Sequence, residues 1–532
     1  MKKYINILLV IFTFVVLFTS CDTNLDLLDN PHELNQNSAN PDYLLNSILI
    51  NGIAQFRSLN NVTSPIIRQV NQFGTYTNNL QGVKPSTMNG AWVSTYQAYN
   101  SLKLLEKMNN DGNLNHHVAI GKIMLANELL NLVDFMGKAV YSEAVSNDFP
   151  TPGFDSGEEI YKSILVLLEE SKELLGTIVP YTPNDLFYHG ESNNWVKLAN
   201  SLVLKIYVQS RKSVNFNETQ ASLKINEILD SNMYIQVPAD DFQVEYGDNE
   251  ISPDNRHPFF ISNYVSGANT YMSNDFMNRL INKKNIEDPR LKHYIYRQTN
   301  SDPSGTFIND CLNNGNSMSD CYLGGGYWGR LHADESGVPN DNLLRATYGA
   351  YPAGGAFDSA QFLSVTDSNL STLNGAGISP IITSSNINFL LAEAKLFISG
   401  VNGDAYTYLT NGVQNSFNKV SAFTGVSMAN EVSYFNELST IYNGTINDEE
   451  KLEVIIEESY ISSFGNGIEP FNAYRRTGYP TFDFTNFQNP GTFPRSIFLP
   501  KSELDANDNE EMVQITLTDQ VFWDTNPAGF ID

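Results

Sequence analysis

The chain has 532 residues, 59 of them acidic and 32 basic, for a formal net charge of −27. Such a field makes nucleic acid and anionic membrane surfaces poor partners, because phosphate binding needs clustered Lys and Arg. The length allows two or more average domains, or one large domain with long insertions.

Lys2 and Lys3 open the chain, an apolar run extends from Ile5 to Phe18, and Thr19 and Ser20 precede Cys21. A membrane-spanning helix needs about 18 or more apolar residues, whereas a basic start, a short apolar run and small residues describe a secretory signal over residues 1–20. No apolar run after it is long enough to cross a bilayer. A bacterial lipoprotein signal gives the cysteine its own reason: the thiol after the cut carries a diacylglyceryl group. Each buried methylene contributes about 0.8 kcal/mol, so several acyl chains hold far more firmly than one. Cys21 is the predicted lipidation site; a plain secretory signal with an incidental cysteine is the alternative. Residues 21–40 are polar and read as a tether, and residues 41–532 read as a single α-rich body.

Within that body helical patterns arrive in pairs. Trp92, Tyr96 and Tyr99 share helical spacing and read as packing residues. Ile120, Ile123, Leu130 and Val133 recur at three-to-four-residue intervals up to Gly137. The next pattern opens at FDSGEEIY, where Ser156 and Glu159 form a capping box ahead of Ile160, Ile164, Leu167 and Leu168. A second pair begins at Trp195, whose helix carries Leu198, Leu202 and Ile206, and continues through Leu223 to Leu229. The third is INFLLAEAKLFISG followed by DAYTYLTNGVQNSF, with Asp404 as cap. The fourth runs from Leu452 to Phe464 and resumes through Phe471 to Arg476. Two helices with a short turn are the unit of tetratricopeptide-like architecture, although these pairs are not sequence repeats of one another.

Between about 238 and 380 periodicity disappears and Gly, Asn, Asp, Pro and aromatic residues concentrate; loops this long usually bind something. Cys311 and Cys321 lie there as an even pair that can form a disulfide outside the cytoplasm, with two free thiols as the alternative. No Gly-x-Ser-x-Gly, His-Glu-x-x-His or phosphate-cradling loop occurs, so no catalytic residue is assigned.

The signal ending at Cys21, together with DFMGKAVYSEAV, FDSGEEIY, NNWVKLANSLVLKIY, NRHPFF, EDPRLKHYIYRQ, YWGRLHADESGVPND, GAGISPIITSSNINFLLAEA and EPFNAYRRTGYP, resembles the SusD/RagB family in order and over nearly the whole chain. The resemblance is closest to the SusD-like outer-membrane lipoproteins of Bacteroidetes. It implies a mainly α fold of about four tetratricopeptide-like helix pairs, with long irregular loops building a binding face. It further implies a non-enzymatic nutrient-binding lipoprotein, exposed on the outer membrane as lid of a SusC-like TonB-dependent transporter. The expected cargo is an oligosaccharide, with oligopeptide as the first alternative and a surface glycoside hydrolase as the second.

A sugar site uses aromatic faces for the ring and amides, carboxylates or guanidinium for hydroxyls. In the family, loops near the helix that carries Trp92 edge the ligand site, which makes Phe73, Tyr76, Asn78 and Asn79 candidates. In GGGYWGRLHADE, Gly324 to Gly326 let the backbone present Tyr327, Trp328 and Arg330; anchoring a long loop is the alternative role. Asp334, Glu335 and Asp341 offer hard oxygen ligands suited to a structural calcium, or form a solvated acidic turn. No other metal or cofactor is implied. Arg475 and Arg476 stand near the end of the last helix, to meet a substrate carboxylate or to neutralise the helix dipole.

Overall fold

The computed structural model describes residues 40–71, 76, 79–267, 270–300, 311, 315–335, 343–355, 358–365 and 375–531. The signal segment, Cys21, the tether up to residue 39, Phe73, Asn78 and Asp341 lie outside the described residues.

Asn40 accepts the Asp42 amide and Pro41 fills the first turn, starting the 26-residue helix α1 (Pro41–Ile66). After β1 (Val70–Asn71), α2 (Asn89–Met108) packs along α1. This pair stands ahead of the four that the periodicity indicates. Its apolar stripe is interrupted by buried Gln55, Asn60, Thr63 and Ser64, which blur the pattern. Helix α3 (Asn115–Met136) ends at Gly137 in the left-handed conformation, and β2 (Lys138–Ala139) pairs antiparallel with β3 (Asp155–Ser156). The chain then enters α4 (Gly157–Leu175), where the Ser156–Glu159 capping box is formed. Helices α5 (Ser192–Gln209) and α6 (Glu218–Ser231) form the next pair.

From 238 onward the irregular segment is clasped at its base, because β4 (Phe242–Tyr246) pairs antiparallel with β8 (Gly377–Ile382). Inside it lie β5 (Tyr271–Met272), α7 (Asn274–Ile281), β6 (Tyr296–Arg297) and β7 (Ala346–Thr347). The first, second and third of these strands join β1 in a sheet of order β1-β5-β7-β6, so loops distant in sequence meet at one edge of the helical body.

The helices then resume: α8 (Ser384–Phe397) with α9 (Ala405–Thr424), capped by Asp404 through the Thr407 amide, and α10 (Glu431–Asn443), which the periodicity does not reveal. Helix α11 (Asp448–Ser462) packs on α12 (Ile468–Thr477), and α13 (Lys501–Ala506) follows a long strap. Helix α3 is central: every residue from His117 to Met136 except Lys122 is buried, so a single amphipathic face is not expected of it. One apolar core runs from Leu44 on α1 to Trp523 and Ile531 near the C terminus, and Trp195 and Trp92 belong to it. None of the described helices is long and apolar enough to cross a membrane.

Two buried carboxyls in this scaffold have opposite electrostatics. Glu393 on α8 accepts Arg476 through both oxygens, at 2.7 and 2.8 Å, and Arg211 at 2.8 Å. Burial pushes its carboxyl up, but the two guanidinium groups outweigh burial and hold it at about 2. Glu128 on α3 is also fully buried with no cation beside it among the described residues, and burial, only partly opposed by the Thr95 hydroxyl, raises it well above its ordinary value. The signs of their pH linkage therefore differ. The Glu393 contribution is present above the ordinary value of 4.5 and is lost as pH falls from there toward about 2. The Glu128 contribution is complete below 4.5 and declines as pH rises above it. Denaturant midpoints measured across pH check both. Glu393→Gln, which leaves two buried guanidinium groups underpaired, is expected to lose about 3–5 kcal/mol at neutral pH. Glu128→Met is expected to gain stability over wild type as pH rises.

Candidate functional site

Two residues past the end of α1, Arg68 is a non-glycine residue held at φ 59°, and this turn aims its guanidinium at the segment from Tyr479 to Gly491. That segment forms a strap across the sheet edge. Arg68 donates to Asp275 at 3.2 Å, to the Phe484 carbonyl at 3.1 Å and to Asn486 Oδ1 at 2.9 Å, and lies over the Phe482 ring at 4.3 Å. Asp275 in turn accepts the amides of Asp483 and Phe484. A buried ion pair thus holds the strap from below. Further along, Phe487 donates its amide to the His332 carbonyl, and Gln81 donates its amide to Pro490 and its side chain to Gly491. His332 Nε2 meets Gln81 Oε1 at 2.9 Å, and burial followed by Arg68 keeps that imidazole neutral.

The strap is the feature that the sequence reading missed. Phe482, Phe484 and Phe487 are half-buried, while Asp483, Thr485, Asn486, Gln488 and Asn489 are exposed between them. Three aromatic rings flanked by amides can take the apolar face of a sugar ring or an apolar side chain, with hydrogen bonds around it. Asn79 is exposed at the lip of the same face, and half-buried Glu335 accepts the Tyr76 amide beside it. The signal was present as TFDFTNFQNP, an aromatic and amide alternation without helical period after the Gly478 helix stop.

The aromatic candidates of the loop-rich segment point inward instead. Gly324, Gly325 and Gly326 all have positive φ, and the tight turn they allow brings Trp328 back against Tyr322, rings 4.1 Å apart. Trp328 is 0% exposed and packs with Leu331 and the bonded pair Cys311–Cys321, whose Cα atoms are 5.9 Å apart. Phe484 and Phe487 rest on this cluster, so Trp328 supports the face from beneath without lining it. Tyr327 is buried under the Arg297 guanidinium, which Asp358 holds at 2.7 Å. Tyr76 is 2% exposed and meets His332 edge-on.

Arg330 and Asp334 are both buried and form an ion pair at 3.3 Å. The guanidinium supplies the charge that a calcium ion would have supplied to Asp334, and no three acidic, His or Cys side chains among the described residues gather to hold a metal. Arg475 and Arg476 are likewise interior. The first donates to the carbonyls of Asp134 and Arg495, and the second binds Glu393. Burial is tolerated in each case because a carboxylate or backbone carbonyls replace part of the water that each guanidinium loses.

Two substitutions test this construction. A Cβ at Gly491, where φ is 88°, would sit 1.7 Å from the Asn79 carbonyl oxygen, so Gly491→Ala is expected to cost about 1–3 kcal/mol in chemical denaturation. Arg68→Met strands buried Asp275 and is expected to cost about 3 kcal/mol. It is also expected to speed amide hydrogen exchange in the 481–491 strap relative to α3; unchanged exchange there would show that other contacts suffice.

A family model described as starch-binding and associating with the outer membrane, SusD-like, matches residues 32–321 and 335–500. Among solved structures, a SusD-like protein of Bacteroidetes AC2a has a TM-score of 0.70 at 16% identity, over 92% of this chain and 100% of its own. A chitin-binding protein gives 0.64 at 20% identity, over 92% and 100%. A SusD homologue of Bacteroides fragilis gives 0.61 at 21% identity, over 88% and 93%. No curated protein matches the sequence. At these identities the structures establish the helical fold, and the family assignment rests on the sequence match, which extends over most of the chain. The family is one of binding proteins, not of enzymes. The chain belongs to the SusD-like family of starch-binding proteins that associate with the outer membrane.

Proposed function

We propose that this protein is a lipid-anchored, cell-surface nutrient-binding protein that captures an oligosaccharide on the strap face and serves as lid of a SusC-like TonB-dependent transporter. The observation that carries the reading is the strap: Phe482, Phe484 and Phe487 held at half exposure between solvent-facing amides, above a locked aromatic and disulfide base. The starch-binding description of the family and the chitin-binding neighbour favour a glycan. Capture would bias the lid toward its closed state when the ligand touches both lid and barrel, and a permanent assembly would bury over about 2,000 Å².

Isothermal titration against soluble starch, chitin oligosaccharides and mixed peptides tests the cargo. Binding to one glycan is expected, weakened about tenfold, roughly 1.4 kcal/mol, by Phe487→Ala, with retained folding checked by circular dichroism because Phe487 also packs on the disulfide cluster. Retention of peptides alone would move the cargo to oligopeptides, and silence across the panel would count against the face. The anchor has a separate test. Cys21→Ala is expected to fold normally and to leave the membrane fraction; a variant still held there by lipid would overturn the assignment of Cys21.

A further inference from the structure

A concavity that shares no lining residue with the strap lies between α2 and the segment 140–153. Its volume is about 320 Å³, in the lower range of ligand-sized cavities. Trp92 and Tyr96 form the floor, rings 4.6 Å apart, and Val140, Ala144 and Pro152 the sides. The polar atoms of the floor are already committed. The Trp92 indole N–H donates to Glu503 at 3.1 Å, and the Tyr96 hydroxyl both donates to the Val140 carbonyl at 2.6 Å and accepts its amide at 3.0 Å. What the floor offers an occupant is therefore carbon, while Gln97, Asn100 and Glu503 place amide and carboxylate groups at its edge.

The rim is unusual in two ways. Val93 is 46% exposed and Val145 37% exposed, with Phe149 at 45% on the same loop. Val145 stands at φ 54°, a conformation costly for a β-branched residue, so the loop spends backbone strain to present an apolar side chain to solvent. Beside this rim runs an acidic wall. Helix α13 brings Glu503 into the lining, and the segment after it brings Glu511 against Gly153, held there by Asn507 on the Pro152 carbonyl and Asn509 on the Thr151 carbonyl. Glu143 adds a carboxylate from the other side, where it accepts the Gly153 amide. The nearby cations are few: Lys501 is paired with Asp505, and Lys138 lies over the Phe154 ring.

We infer that this notch is a docking site for a partner polypeptide presenting one aliphatic or aromatic side chain flanked by lysine or arginine. The apolar side chain fills the cavity over Trp92 and Tyr96, and the flanking cations meet the acidic wall. This site does not depend on the identity of the cargo on the strap face.

The probe is a fluorescein-labelled peptide of glycine and lysine with one central leucine, titrated against the whole mature protein by anisotropy. Saturable binding is expected, at least fivefold weaker when leucine is replaced by serine and abolished when the lysines are replaced by glutamates. Gln97→Trp, an exposed rim position on α2 whose new ring would cover the opening, is expected to weaken binding at least fivefold without lowering the melting temperature. Glu511→Gln is expected to weaken it too and to flatten its salt dependence. Absence of binding, binding indifferent to leucine, binding unaffected by Gln97→Trp, or displacement by a glycan would each overturn the inference. Those results leave the strap-face titrations unaffected, so the two readings fail separately.

Discussion

Two adjacent arginines at the end of α12 hold the molecule together in two directions. Arg475 reaches back to the α3 backbone at Asp134 and lies over Trp523 from the C-terminal segment, while Arg476 binds Glu393 on α8, which also takes Arg211 from the end of α5. A guanidinium removed from water needs charged or carbonyl partners in its place, and breaking such a pair leaves an uncompensated charge inside. The geometry of α3, α5, α8 and α12 is therefore not freely adjustable. Asp134 extends the constraint, accepting the Tyr161 hydroxyl, the Trp523 indole and the Asn472 amide. Helices from the first half of the chain and helices from the second are registered by the same few atoms.

The consequence for the candidate face is direct, because the strap begins at Tyr479, just past the Gly478 stop of the helix that carries those arginines. Its starting point is fixed by the scaffold, its middle by the Arg68–Asp275 pair and its far end by Gln81 and the contact between Gly491 and Asn79. A rigid support matters for weak, multi-point recognition, since rings that are already oriented lose little freedom when a ligand arrives. The disulfide-bonded cluster of Trp328, Tyr322 and Leu331 serves that purpose from below. The most conspicuous aromatic motif of the loops thus acts by support, and a plainer stretch of alternating Phe and amide residues meets the solvent.

This division explains what could be read from the chain. Helix pairs α3/α4, α5/α6, α8/α9 and α11/α12 were legible because their buried positions recur at helical spacing and their starts carry caps at Ser156 and Asp404. Helix α1 was not, because its buried side mixes Leu45 and Ile48 with Gln55, Asn60 and Thr63, whose partners lie on other helices or on the helix's own carbonyls. The direction of Trp328 was illegible for a related reason: a glycine-rich turn permits either orientation, and the choice is made by a cluster assembled from residues as far apart as Cys311 and Phe487. The same holds for Arg330, which only the fold brings into line with Asp334 and the Tyr271 ring. Periodicity records which face of an element is covered; it carries no record of where loops are folded to.

Charge follows the same logic. Each buried pair, such as Arg279 with Glu457, Arg290 with Asp288 or Arg495 with Asp524, removes one base and one acid from the surface together. Pairing inside leaves the difference of −27 unchanged while consuming much of the cationic side. The exterior is accordingly more one-sided than the composition, with its acids solvated and its arginines largely committed within. A field of that sign repels polyanions at long range and offers them few free guanidinium groups at contact. On the strap face the available chemistry is aromatic carbon, amide and carboxylate, around Phe487, Asn486 and Glu335. On the proposed reading of this face as a glycan site, that set would suit a neutral sugar better than a sulfated or uronic one, because a neutral sugar needs no charge partner and its hydroxyls can donate to carboxylates that repel an anion.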